Sequence, residues 1–299
     1  MTPQLGGILE TLQVDLAGRQ LRLVLERRGP AVAPLWLLLP ALSTVSSRGE
    51  WKAFADVMGD GRQLVSFDWP GFGDSDRPAM PYDAALLRSA LRAVLSYLRT
   101  TTPQRPIVVA AGHSASVALG LATEWSGLWQ ELVLVAPTWR GPLPTMTGWP
   151  SRRFGWLRQL VASPFIGPAL YRLNTSRPVL GLMLRRHVWV ERTLLTPERL
   201  LEQQQLARRL GARFASAAFV SGGLDPAEDR AWWLEQAQRL QCPLHVVLAG
   251  EAPPRSREQM GWLAQSADHV TLIPGRLGLH QEFGALLARQ LLESGLSAG

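Results

Sequence analysis

Residues 106–121 read PIVVAAGHSASVALGL. An apolar, β-branched run (Ile107, Val108, Val109) enters Gly112-His113-Ser114-Ala115-Ser116, and an Ala/Leu/Val-rich helical pattern leaves it. Strand, tight turn and helix form the setting in which a central serine becomes a nucleophile. Such a turn is expected to strain the Ser114 backbone and to project its hydroxyl at the helix N-terminus. Strand and helix nearly touch there, so the positions two away on either side must be small; Gly112 and Ser116 meet that need. The unpaired N–H groups of a helix start face a developing oxyanion, and the Ala115 N–H is the expected donor. The usual pattern is Gly-x-Ser-x-Gly, with Ser116 standing here for the last glycine.

Working outward, the chain alternates strand and helix patterns. Ile8–Asp15 and Gln20–Arg27 alternate apolar and polar residues around Ala17-Gly18-Arg19, which predicts an antiparallel hairpin. Leu35–Leu39 (LWLLL), Leu64–Phe67, Ile107–Ala110 and Leu132–Ala136 are continuous apolar runs, as expected of strands buried on both faces. Helical spacing covers Trp51–Met58 and Asp83–Leu98. From Trp139 to Ala215 no buried strand appears, and prolines punctuate helical patterns at Pro150–Leu160, Pro164–Leu173, Pro178–His187 and Pro197–Leu210. The alternation then resumes: helix Asp229–Leu240, strand His245–Ala249, helix Ser256–Gln265, strand Val270–Ile273, helix Glu282–Glu293. This order predicts βαβ units and a mostly parallel sheet flanked by helices. Residues 1–138 and 216–299 would form the core, and 139–215 an all-helical insertion.

The 299 residues, 46% hydrophobic and 18% charged, can bury a sizeable core. The net charge is +7 and the pI about 10.8, yet Lys52 is the only lysine and the arginines are scattered. No basic stripe or recognition motif argues for nucleic acid; an anionic surface or an acidic substrate is the better use of the excess charge. The single cysteine, Cys242, cannot form an internal disulfide, which suits a reducing compartment. The first residues lack a basic region followed by a long apolar one, and no window holds 18 uncharged apolar residues. A cytoplasmic protein is expected, without a metal site or cofactor.

Acyl transfer by serine needs a base, an oxyanion donor pair and a group that orients the base. Of the five histidines, His280 lies in the loop between the last strand and the last helix, where site residues of a parallel sheet gather. His113 lies inside the turn and is expected to pack beneath the nucleophile.

The hairpin, the buried strand, DWPGFGDSDRP (68–78), GHSAS (112–116), the helical insertion and the late histidine together resemble the α/β-hydrolase family over essentially the whole chain. The resemblance implies an α/β-hydrolase fold with an inserted helical cap, Ser114 as nucleophile and His280 as base. The family's His-Gly pair after the third strand is Pro40-Ala41 here, so Leu42 aligns with the second oxyanion donor and Ser43 neighbours it. The family's acid follows the strand at His245–Ala249 as Gly-x-x-Asp, but Gly250-Glu251-Ala252-Pro253 puts proline at that position. Three readings of the acid stay open: Glu251 turned inward, Asp225 reaching in from the end of the insertion, or a Ser–His dyad. Losing the acid of a serine triad lowers turnover by about 10⁴ without abolishing it.

The function expected is a serine hydrolase that cleaves an apolar carboxylic ester or thioester through an acyl-enzyme on Ser114. Ser43, His113 and Trp139 are expected near the substrate. A catalytically impaired, ligand-binding relative is the alternative, and a cofactor-free haloperoxidase-like or C–C bond hydrolase is another. The insertion mixes Trp, Phe and Leu with arginine (Trp149, Arg152, Arg153, Phe154, Trp156), a pattern read as an amphipathic cap able to touch a membrane surface transiently.

Overall fold

The computed structural model describes all residues except 103, 126, 228 and 296–299, together with the side chain of residue 60. Strands β1 (Ile8–Leu16) and β2 (Arg19–Arg28) form the antiparallel hairpin. Its two turn residues, Ala17 and Gly18, have φ of 52° and 72°, as a two-residue turn matched to the strand twist demands. The other strands are β3 (Leu35–Leu39), β4 (Gln63–Phe67), β5 (Ile107–Ala111), β6 (Glu131–Val135), β7 (Leu244–Ala249) and β8 (His269–Ile273). They build one eight-stranded sheet in the order β1-β2-β4-β3-β5-β6-β7-β8, parallel from β4 onward, with β2 antiparallel to β4.

The central strands are buried along their whole length because helices cover both faces. Leu37, Leu39, Val108 and Ala110 face one layer, with Leu87 and Leu91 of α2 (Ala84–Thr101) and Leu119 of α3 (Ser114–Glu124). Trp36, Leu38, Ile107 and Val109 face the other, with Phe54 of α1 (Lys52–Met58) and Leu287 and Leu291 of α13 (Gly284–Glu293). The alternation along each strand is the two-residue period of the pleat. Asp83 caps α2 by accepting the Leu86 N–H at 2.8 Å.

Between β6 and β7 come α4 (Pro142–Thr147), α5 (Gly155–Ala162), α6 (Ile166–Asn174), α7 (Arg177–His187), α8 (Pro197–Ala207), α9 (Ala212–Val220) and α10 (Arg230–Gln238), with no strand among the described residues. Helix α9 runs across residue 215, where the insertion was expected to end. Three of these helices begin with proline in the first turn and so lose no intrahelical donor. The segment has a small core of its own, in which Leu180, Leu184 and Trp189 meet Val45 from the loop after β3. Helix α11 (Pro254–Ala264) follows β7, and a short α12 (Leu279–Glu282) follows β8. No helix among the described residues is long and apolar enough to cross a membrane.

The DWPGFGDSD loop is tied both to the sheet and to the helices between β6 and β7. Arg48, wholly buried, pairs with Asp68 and lies 3.0 Å from both Glu26 and Asp74. Arg209, from the helical segment between β6 and β7, reaches the other oxygen of Asp74 at 2.5 Å. Burial works against the charge on Asp74, but Arg209 and Arg48 hold its carboxyl below the usual range. Gly73 lets this loop close: its φ is +51°, and a Cβ there would sit 2.1 Å from the Asp68 carboxyl carbon.

Candidate active site

Strand β5 ends at Ala111 and α3 starts at Ser114, so the turn is only Gly112-His113. The left-handed residue of this turn is Gly112, with φ +54°; His113 is already helical and Ser114 opens the helix. This corrects the expectation that Ser114 carries the strained backbone. The small residues flanking the tight position are Ala110 and Ser114, not Gly112 and Ser116. The pattern small-x-Gly-x-small thus places a residue without a side chain where a nucleophile would project. Gly112 donates to the Val135 carbonyl at 2.9 Å and accepts from Thr138 at 3.0 Å, which fixes the turn against β6.

Ser114 is fully buried, and its hydroxyl donates to the Pro40 carbonyl in a short hydrogen bond. His280 is also fully buried, on α12. Its Nε2 lies 3.0 Å from Glu50 Oε2, and its Nδ1 has no partner. Ser114 and His280 therefore do not hydrogen-bond with each other. The expected oxyanion donor on Ala115 is committed as well, since its N–H donates to the Gly112 carbonyl at 3.3 Å.

Glu50 is the residue that the sequence did not single out. It lies in a 3₁₀ turn, Arg48–Trp51, between β3 and α1. Its Oε2 accepts both from His280 and, at 2.7 Å, from the Ala41 N–H, while Oε1 is buried without a partner. Ala41 in turn abuts the elbow, because a Cβ built on Gly112 would come within 3.1 Å of the Ala41 Cβ. The carboxylate thus joins the histidine to the strand end beside the tight turn. Burial pushes the Glu50 carboxyl above its usual range, and the His280 hydrogen bond only partly offsets this. Trp51 packs its ring 5.1 Å from the imidazole and closes one side.

The side chains of the other expected residues make no hydrogen bond to this pair. The carboxylate of Glu251 makes no contact with His280; the residue is exposed and only its backbone is engaged, donating to Gly275 at 2.9 Å. Asp225 is buried but serves other partners: the Gly141 N–H at 2.7 Å, the Ser151 hydroxyl at 2.9 Å, and His113 Nε2 at 3.8 Å. Burial raises its carboxyl, and His113 counters this. His113 Nε2 also contacts the Leu224 carbonyl at 3.1 Å, so the ring pins the chain just after α9 to the elbow. Trp139 is a core residue stacked on Trp233 at 6.5 Å. Leu42 is buried in the main core, and the Ser43 hydroxyl accepts from Val45 within its own loop. Among the described residues no group of three or more His, Cys, Asp or Glu is arranged to hold a metal.

A family model described as the alpha/beta hydrolase family matches residues 30–288. A comparison with curated proteins gives no match. Among solved structures, Cfl2 from Burkholderia cenocepacia is similar at 23% identity with a TM-score of 0.72, covering 98% of this chain and 97% of that one. A thermophilic esterase from Thermogutta terrifontis is similar at 17% identity and a TM-score of 0.70, covering 95% and 97%. An enol-lactonase from Burkholderia xenovorans is similar at 15% identity and a TM-score of 0.69, covering 94% and 98%. At these identities the likeness is one of fold.

Proposed function

Because the chain belongs to the alpha/beta hydrolase family, we propose that it is a hydrolase of apolar carboxylic esters or thioesters that works by direct attack of water, with Glu50 and His280 as its acid–base pair and no acyl-enzyme on Ser114. The observation that carries this reading is the pair itself: a buried carboxylate hydrogen-bonded to His280 Nε2 beside an elbow whose projecting position is Gly112. The unpartnered Glu50 Oε1 is where the water would be held. Glu50 takes the water proton as the oxygen attacks the carbonyl carbon. The oxyanion meets backbone N–H groups of the elbow and of the β3 loop, at His113 and Leu42. As the tetrahedral adduct collapses, the same proton passes from the pair to the leaving alcohol or thiol. Burial raises the Glu50 carboxyl, which makes it a stronger base than an ordinary carboxylate.

One experiment tests the reading. Hydrolysis of p-nitrophenyl butyrate is measured for the protein and for Ser114→Ala and Glu50→Gln, with fluorophosphonate labelling alongside. The expected result is no labelling, little change in Ser114→Ala, and a loss of about 10²-fold or more in Glu50→Gln. Labelling that disappears in Ser114→Ala would overturn the proposal in favour of a serine acyl-enzyme. A second reading, a binding protein without turnover, is favoured by the complete burial of His280 and by its orphaned Nδ1. Tight binding of an apolar ester that stays intact would support that reading instead.

A further inference from the structure

The charge of this chain is divided unevenly. Residues 139–215 contain thirteen arginines, no lysine, no aspartate and three glutamates, a net charge of +10; the whole chain carries +7, which leaves −3 for everything else. Exposed apolar side chains concentrate in the same segment. Of sixteen large ones among the described residues, eleven lie between Met146 and Leu210. Single exposed apolar residues are ordinary on any protein, but a contiguous cluster is not.

Helix α6 shows how the cluster is built. Its inner side is anchored: the Tyr171 hydroxyl donates to the Ala207 carbonyl at 2.8 Å and contacts the Ser216 hydroxyl at 3.0 Å. Gly167 sits where a Cβ would be 2.1 Å from the Val161 carbonyl oxygen, so α6 packs closely on α5. The opposite side carries Ile166, Ala169 and Leu173 at helical spacing, all exposed, with Phe165 just before the helix. Phe165 is 88% exposed and Leu173 68%. Arg172 flanks this stripe, and Trp156 on α5 and Leu182 on α7 are exposed on the two neighbouring helices. Arg172, Arg177, Arg185 and Arg186 are exposed and form no salt bridge among the described residues.

We propose that the α5–α7 face of the insertion docks onto an anionic lipid bilayer, with Trp156, Phe165, Ile166 and Leu173 entering the interface and the flanking arginines resting on the headgroups. Charge complementarity selects this occupant. An apolar face rimmed by unpaired arginines is matched by a surface that is apolar inside and negative outside. A second copy seated face to face would instead bring two segments of +10 together. The inference does not depend on the chemistry at Glu50, and its test reads binding alone.

The full-length protein is sedimented with vesicles of phosphatidylcholine and with vesicles that also contain phosphatidylglycerol. Binding to the anionic vesicles is expected, and it should weaken as salt is added. Arg172→Gln and Arg185→Gln should each lower it about fivefold. Phe165→Ser with Leu173→Ser should lower it further, and at these exposed positions the fold has nothing to lose. Absence of sedimentation with anionic vesicles overturns the proposal, and so does binding that the Phe165/Leu173 variant leaves unchanged. Concentration-dependent self-association abolished by that same variant would assign the face to a second copy of the chain and overturn it too.

Discussion

Glu50 accepts hydrogen bonds from two elements at once and is buried, so its proton is the sensitive part of the site. Burial raises its pKa above the ordinary 4.5, and the sign of the pH response follows. In the proposed reaction Glu50 works only when deprotonated, so activity is expected to fall as pH drops through the raised pKa. The acidic limb of kcat/KM should therefore lie above pH 4.5 and should be missing from whatever rate remains in Glu50→Gln; a limb unmoved by that substitution would place the base elsewhere. Nothing in the sequence pointed to this residue. RGEW reads as the start of an ordinary helix, and the partner of Glu50 lies 230 positions away. His280 stands out as a candidate in the sequence because it lies in the loop after the last parallel strand, where such sheets collect reactive groups.

At the level of the element, the β5–α3 turn shows how a pattern can be read in two frames. Ala110-x-Gly112-x-Ser114 and Gly112-x-Ser114-x-Ser116 both put small residues around a centre, and a hydroxyl draws the eye to the second. Backbone conformation decides for the first, since the tight position needs positive φ and glycine adopts it at no steric cost. Gly112→Ala is expected to cost about 1–2 kcal/mol in urea denaturation, because alanine resists the left-handed region and its methyl would crowd Ala41. Ser114→Ala should cost less than that, as only one hydrogen bond is lost. The strands were legible for a simpler reason: runs such as LWLLL have no polar face to turn toward water. The helices α5–α8 are legible from their prolines, whereas α4 and α9 are not, the first being only six residues long and the second crossing the boundary drawn where buried strands give way to helical patterns.

Across the whole molecule, a buried guanidinium holds together parts of the chain that are far apart in sequence. Arg48 joins β2 through Glu26, the strand-end loop through Asp68 and Asp74, and the first residues through the Thr2 carbonyl. Glu26 in turn accepts the N–H groups of Gln4, Leu5 and Gly7. Arg48→Met would leave Glu26 and Asp68 buried without their cation and Asp74 with Arg209 alone, and a loss of about 3–5 kcal/mol is expected, read as a lowered urea midpoint. An unchanged midpoint would mean that the carboxylates find protons or water at no cost. Such a cluster is invisible in a linear reading, because each member is a common charged residue and only the fold brings them together.

Asp74 divides its two oxygens between Arg48 in the body of the protein and Arg209 in the helical segment. A tug on that segment by a lipid surface would therefore not stop at its own helices. It would reach Arg48 through this carboxylate, and from Arg48 strand β2 and the N-terminal residues that Glu26 and Arg48 hold.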